Sequence, residues 1–226
     1  MNYEVKGEPF PVVICNLSSG ESVKCQKGAM AWMTENMEMK TQSGGIGKMF
    51  GKALTGEALF ENVYTASNGD GMIAFTTGVP GRVLSVDLAG GKTIVAQKKS
   101  FLASGVNVEM ETFFQKKFGA GLVGGEGFIM QKFTGEGPLF LEIDGSTIEY
   151  DLAAGQVLIV DTGSLACMEG SVKMDVVSVK GGLGNKLVGG EGFFNTQLTG
   201  PGKVWLQTMP VSQLADAIKP FIPTGR

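Results

Sequence analysis

Three stretches of this chain lie over one another without a gap: "VVICNLSSGESVKCQKGAMAWM" from Val12, "VLSVDLAGGKTIVAQKKSFLAS" from Val83 and "TIEYDLAAGQVLIVDTGSLACM" from Thr147. Leu17, Leu88 and Leu152 coincide, as do Gly20, Gly91 and Gly155. Downstream of each comes an alternating run, "NMEMKT", "VNVEMET" or "SVKMDVV", and then a Gly-rich passage that ends in "TGEALF", "GGEGFI" or "GGEGFF". The segments "MIAFTTG", "PLFLEID" and "KVWLQTM" complete the pattern. A unit of about 65 residues is therefore written three times, and such units bury their apolar faces against their neighbours.

Each unit reads as strands. "TIEYDL" and "VNVEMET" alternate apolar and polar residues with period two, which puts one face inward and the other toward solvent. Short apolar runs bounded by Gly, Asn and Ser recur at the spacing of an all-β barrel or sandwich, about five strands per unit. The chain holds 35 Gly and only 8 Pro, a balance that favours tight turns over flexible linkers. Near the C-terminus, Val211, Leu214, Ala215 and Ile218 share one helical face before Pro220, which predicts a short helix over 211–220 that caps a sheet edge. The expected fold is all-β: one domain spanning 1–226, with tandem repeats at about 12–78, 82–144 and 147–209 in a pseudo-threefold barrel or prism, akin to a double-stranded β-helix.

Several motifs suggest chemistry. "LIVDTGS", from Leu158 to Ser164, resembles the active-site turn of aspartic proteases, in which two Asp carboxylates share a proton. The sister units carry Gln26 and Gln97 where this one has Asp161, so a second Asp would have to come from another copy, and a plain turn is the better account. "GAGLVG", from Gly119 to Gly124, satisfies the dinucleotide pattern, but the strand-like "GEGFIMQKF" follows where a helix N-terminus is needed. "GGKT", from Gly90 to Thr93, has Val86 in place of the first P-loop Gly. No histidine is present, which removes Ser–His and Cys–His pairs and the commonest zinc ligand. The expectation is a protein that is not an enzyme and carries no cofactor.

Two sets of equivalent residues remain. Glu57, Glu126 and Glu191 share the Gly-Glu step, and a threefold axis would bring them onto one ring. They are either turn carboxylates or an acidic cation site of hard oxygen ligands. Met30, Trp32, Phe101 and Leu165 lie just past a strand in each unit, as core residues or as a ring of apolar side chains suited to a partner or to self-association.

The net charge of −3, without a basic block, gives no footprint for nucleic acid. Apolar runs fall far short of the roughly 20 residues of a membrane-spanning helix. Cys15, Cys25 and Cys167 form no CxxC and read as buried, reduced thiols. The N-terminal "MNYEVKGEPFPVVICNL" has neither a secretory nor a mitochondrial leader pattern, so a cytoplasmic protein is expected.

The triple repeat, the "LVGGEGF" stretches at Leu122–Phe128 and Leu187–Phe193, and the "T-G-x-G" that begins at Thr134 and Thr199 together resemble the family of the altered-inheritance-of-mitochondria protein 24, bacterial members included. The likeness runs over nearly the whole chain, although the first unit departs with "LTGEALF" and three extra residues before Gly71. It implies a fold like that of the tryptophan RNA-binding attenuation protein, with three repeats in one chain. Mitochondrial members are linked to inner-membrane organisation, and no catalytic residues come with the resemblance. The leading expectation is a binding or scaffold protein that works through protein contacts or self-association. A small-molecule or metal-ion binder using the three Glu is the alternative, and an aspartic-type hydrolase at Asp161 the remote one.

Overall fold

A computed structural model describes residues 1–43, 60–116, 128–178 and 194–222. Their alternating segments form strands. The first repeat contributes β1 (Asn2–Lys6), β2 (Val12–Leu17), β3 (Ser22–Gln26), β4 (Met30–Met33), β5 (Met37–Ser43), β6 (Phe60–Ala66) and β7 (Gly71–Thr76). The second supplies β8 (Gly81–Asp87), β9 (Ile94–Gln97), β10 (Phe101–Gly105), β11 (Val108–Lys116), β12 (Phe128–Gly135) and β13 (Pro138–Asp144). From the third come β14 (Thr147–Leu152), β15 (Val157–Asp161), β16 (Leu165–Glu169), β17 (Lys173–Ser178), β18 (Phe194–Thr199) and β19 (Gly202–Gln207), followed by helix α1 (Val211–Ile218).

Among the described residues each repeat thus has six strands where sequence spacing suggested five, with β1 an additional strand ahead of the first repeat. The extra strand is the short one, β4, β10 or β16, and only three residues separate it from the strand before. In two of the three cases those residues wind into a 3-10 turn, Lys98–Ser100 or Thr162–Ser164.

Strand order follows the sequence repeat. The ladders β2–β7–β4, β8–β13–β10 and β14–β19–β16 have one order, and β5–β6–β3, β11–β12–β9 and β17–β18–β15 another. Consecutive repeats fuse along strand edges. Antiparallel pairing of β3 with β10 and of β9 with β16 creates two six-stranded sheets, β5–β6–β3–β10–β13–β8 and β11–β12–β9–β16–β19–β14. The other two sheets are β1–β2–β7–β4 and β15–β18–β17. No closed barrel forms among the described residues: pairing continues sideways into the next repeat, and every sheet ends in strands paired on one side only.

The chain packs as two compact units whose boundaries cross the middle repeat. One comprises Met1–Gly91, Phe101–Glu109 and Gly135–Glu142, the other Lys92–Ser100, Met110–Thr134 and Ile143–Arg226. In the first, Val13, Cys15 and Leu17 of β2 meet Cys25, Tyr64, Phe75, Leu102 and Phe140 in one apolar cluster. Tyr3 of β1 adds an edge-to-face contact with Phe140, ring centroids 4.7 Å apart, a geometry set by the quadrupoles of the two rings. In the second unit Val95, Met130, Leu165, Met168, Leu198 and Val204 form the equivalent cluster.

Helix α1 departs from the expected cap on a sheet edge, because none of its residues is buried. It is tethered at its start, where the Val211 N–H donates to Asp144 Oδ2 at 2.7 Å. Burial pushes the Asp144 carboxyl above its ordinary value, opposed by that hydrogen bond and by Lys99. No helix among the described residues is long and apolar enough to cross a membrane.

The "T-G-x-G" motif has a steric origin. A Cβ on Gly135, at φ +101, would lie 2.1 Å from the Asn107 carbonyl oxygen, and one on Gly200 would lie 2.4 Å from that of Ala153. Both are below any real contact, so these turns close only over glycine. Gly135→Ala is expected to lower unfolding stability by more than about 1 kcal/mol. Gly78→Ala, at a glycine with open space around its position, should stay within about 0.5 kcal/mol; urea denaturation of the two variants decides.

All three cysteines are free and buried. Loss of solvation on burial pushes the Cys15 and Cys25 thiols up to about 12 and raises Cys167 as well. Since the thiolate is the reactive form, a chromogenic disulfide reagent at pH 8 is expected to label none of the three in the native protein and all of them in guanidinium. Rapid native labelling would contradict this burial.

Candidate functional site

The four apolar residues singled out in the sequence separate by strand environment. Met30 and Trp32 sit on β4, which among the described residues is an edge strand paired only with β7, whereas Phe101 and Leu165 begin β10 and β16, which have a partner on each side. All three strands carry the same irregularity, a register shift between Met30 and Trp32, Phe101 and Ala103, or Leu165 and Cys167. Such a bulge bends its strand and increases the local twist. Phe101 and Leu165 are in the core, at 4% and 0% exposure, while Trp32 is 45% and Met33 38% exposed. At the positions equivalent to Trp32 and Met33, the sister strands hold Ala103 and Ser104, and Cys167 and Met168, all at 0%. The apolar surface is thus a patch on one strand, Met30–Met33, rather than a ring of three.

A second exposed apolar edge escaped the sequence reading. On β15, paired among the described residues only with β18, Val157 and Ile159 are 51% and 49% exposed, while Leu158 and Val160 pack inward. Since "VLIV" is apolar throughout, it offers no alternation to reveal which face is covered.

Asp161 ends β15 and caps the Thr162–Ser164 turn, its Oδ1 accepting the Gly163 N–H at 2.9 Å. Two amides hold the same turn: Gln207 Nε2 donates to the Gly163 carbonyl at 2.8 Å, and Gln97 Nε2 reaches the carbonyls of Gly163 and Leu165. Gln207 Oε1 in turn accepts the Asp144 N–H at 3.2 Å. These contacts satisfy the polar groups of a tight turn, and Asp161 serves there as a local cap.

A smaller charged cluster lies on β14 and β19. Glu149 pairs with the Lys203 ammonium, and its Oε2 accepts the Trp205 indole N–H at 2.7 Å. The Lys203 hydrogen bond, helped by Trp205, holds the Glu149 carboxyl below its usual value. Glu149 and Trp205 face each other directly in the β14–β19 ladder, so the cluster is a cross-strand pairing of a sheet edge. Glu57, Glu126 and Glu191 lie outside the described residues, as does the Gly119–Gly124 motif. Among the described residues no group of three or more His, Cys, Asp or Glu is placed to hold a metal ion.

An uncharacterised protein of Streptococcus pyogenes serotype M6 is 29% identical over 227 residues, covering 96% of this chain and 88% of that protein. The crystal structure of a Streptococcus pyogenes protein superposes with a TM-score of 0.79 at 25% identity, covering 98% of this chain and 99% of the other. The family described as mitochondrial biogenesis AIM24 matches residues 3–209. From the first strand to the end of the last repeat, the chain belongs to the AIM24 family.

Proposed function

We propose that this protein is a non-enzymatic scaffold that acts through protein–protein contacts, self-association among them, at the exposed edge of β4. The observation that carries the reading is the exposure of Trp32 and Met33 on a strand paired on one side, set against full burial of their counterparts on β10 and β16. An unpaired strand edge offers a row of backbone donors and acceptors, and Trp beside Met supplies the large apolar contact typical of interface centres. The shared strand order of the three repeats supports three equivalent units of a kind akin to the tryptophan RNA-binding attenuation protein. Three free cysteines are in keeping with a reducing compartment such as the cytoplasm.

The test is photo-crosslinking in intact cells, with a benzophenone amino acid at position 32 and, as a control, at Phe10, which is 68% exposed elsewhere on the surface. The expected result is a discrete adduct from position 32 alone, identified by mass spectrometry as a second copy or as one defined protein. No light-dependent adduct from position 32, or the same smear from both positions, overturns the proposal.

A further inference from the structure

The chain shows twice how its repeats join. In the β3–β10 junction Cys25 faces Ala103, Lys24 faces Ser104 and Val23 faces Gly105. In the β9–β16 junction Ala96 faces Cys167, Val95 faces Met168 and Ile94 faces Glu169. The gap-free alignment of the repeats puts these pairs at identical repeat positions, so both junctions have one register and one antiparallel sense. Among the described residues two strands of the same kinds are left without such a neighbour. One is β4, the first-repeat counterpart of β10 and β16; the other is β15, the third-repeat counterpart of β3 and β9.

Exposure follows that difference. Ile159 is 49% exposed, while its counterpart Val95 is at 0% and the Lys24 side chain at 13%. Met33 and Trp32, at 38% and 45%, correspond to residues at 0% on both sister strands. Positions buried or mostly covered wherever the neighbouring strand is present are open on these two edges.

Charge placement adds an independent argument. Exposed edges are normally blunted by charged residues or proline, which discourage pairing with another chain. Among the described sheets, the other six edge strands each carry at least two charges: Glu4 and Lys6 on β1, Glu38 and Lys40 on β5, Arg82 and Asp87 on β8. The same holds for Glu109 and Glu111 on β11, Glu149 and Asp151 on β14, and Lys173 and Asp175 on β17. β4 carries none. β15 carries only Asp161 at its end, and that carboxylate is committed to capping the following turn. The two edges that lack protection are the two that complement each other.

We propose that β4 of one copy pairs with β15 of a second copy, antiparallel and in the register of the internal junctions: Trp32 opposite Val160, Met33 opposite Ile159, Thr34 opposite Leu158. The inference rests on the scaffold reading and adds to it the partner, the partner's strand and the register. The contact is heterologous, since each copy offers a different edge to its neighbour, so copies join head to tail. Main-chain pairing supplies attraction, and the alternating apolar side chains select the register.

Two variants of the full chain test this, Met33→Lys to spoil β4 and Ile159→Lys to spoil β15. Both residues are exposed, so each variant is expected to keep the urea midpoint of the parent. By native mass spectrometry and sedimentation velocity the parent is expected to oligomerise, and each variant alone to run as a monomer. Mixed in equal amounts, they should form a dimer of one chain of each kind and nothing larger, because the intact β4 of one meets the intact β15 of the other. Association of either variant by itself, or failure of the mixture to associate, overturns the proposal. If position 32 still crosslinks to a defined protein, the scaffold reading survives that outcome; if the parent is a monomer at every concentration and position 32 crosslinks to nothing, both fall.

Discussion

The antiparallel junction between consecutive repeats is the contact on which the rest of the structure depends. A three-stranded ladder has one apolar face and no means of covering it alone. Joining β3 to β10 and β9 to β16 doubles the width of each sheet and brings residues of two repeats into one core. The first cluster accordingly mixes Val13 and Phe75 with Leu102 and Phe140, and the second mixes Val95 and Met130 with Leu198 and Val204. Neither cluster belongs to one repeat. This explains why the compact units cut across the middle repeat: cores define the units, and each core is assembled across a junction. At the same end of both junctions a cysteine faces an alanine, with all four residues at 0% exposure, and small side chains there suit close packing.

Polar groups near the junctions are dealt with locally. Gln26 donates to Glu142 at 3.4 Å, and Glu142 also accepts the Gly78 N–H at 3.1 Å. Gln97 and Gln207 serve the Thr162–Ser164 turn in a related way. An unpaired backbone group beside a dry core costs as much as a lost hydrogen bond, and these amides and carboxylates meet that need. Asp161, which resembled a catalytic residue in the sequence, belongs to this set.

Much of the architecture was legible in the sequence because repetition and period-two alternation report directly on strands that have one wet and one dry face. The β11 and β14 segments were evident for that reason. The short strands were not: Met30–Met33, with its equivalents, is apolar and nearly continuous with what precedes it, so neither length nor alternation separated it. Burial within that set was equally hidden, because β4, β10 and β16 are the same strand of the repeat and differ in whether a neighbouring strand lies alongside. Neighbour relations are a property of topology, and local composition carries little record of them. The small residues Ala103 and Cys167, against Trp32 in the first repeat, were the one trace, readable only once the junction was known. Val157 and Ile159 left no trace, being indistinguishable by type from their inward neighbours.

The shared register of the two internal junctions bears on how such a chain can be lengthened. A unit whose leading and trailing edges match needs no new interface when a further copy is appended to it; the added copy meets a seam already proven to close. Tandem duplication of a gene segment would then yield a folded product at once, leaving later substitutions to individualise the ends. Bulky Trp32 on the free edge of the first repeat, against Ala103 and Cys167, and "VLIV" on that of the third are where the end repeats differ from the internal seams.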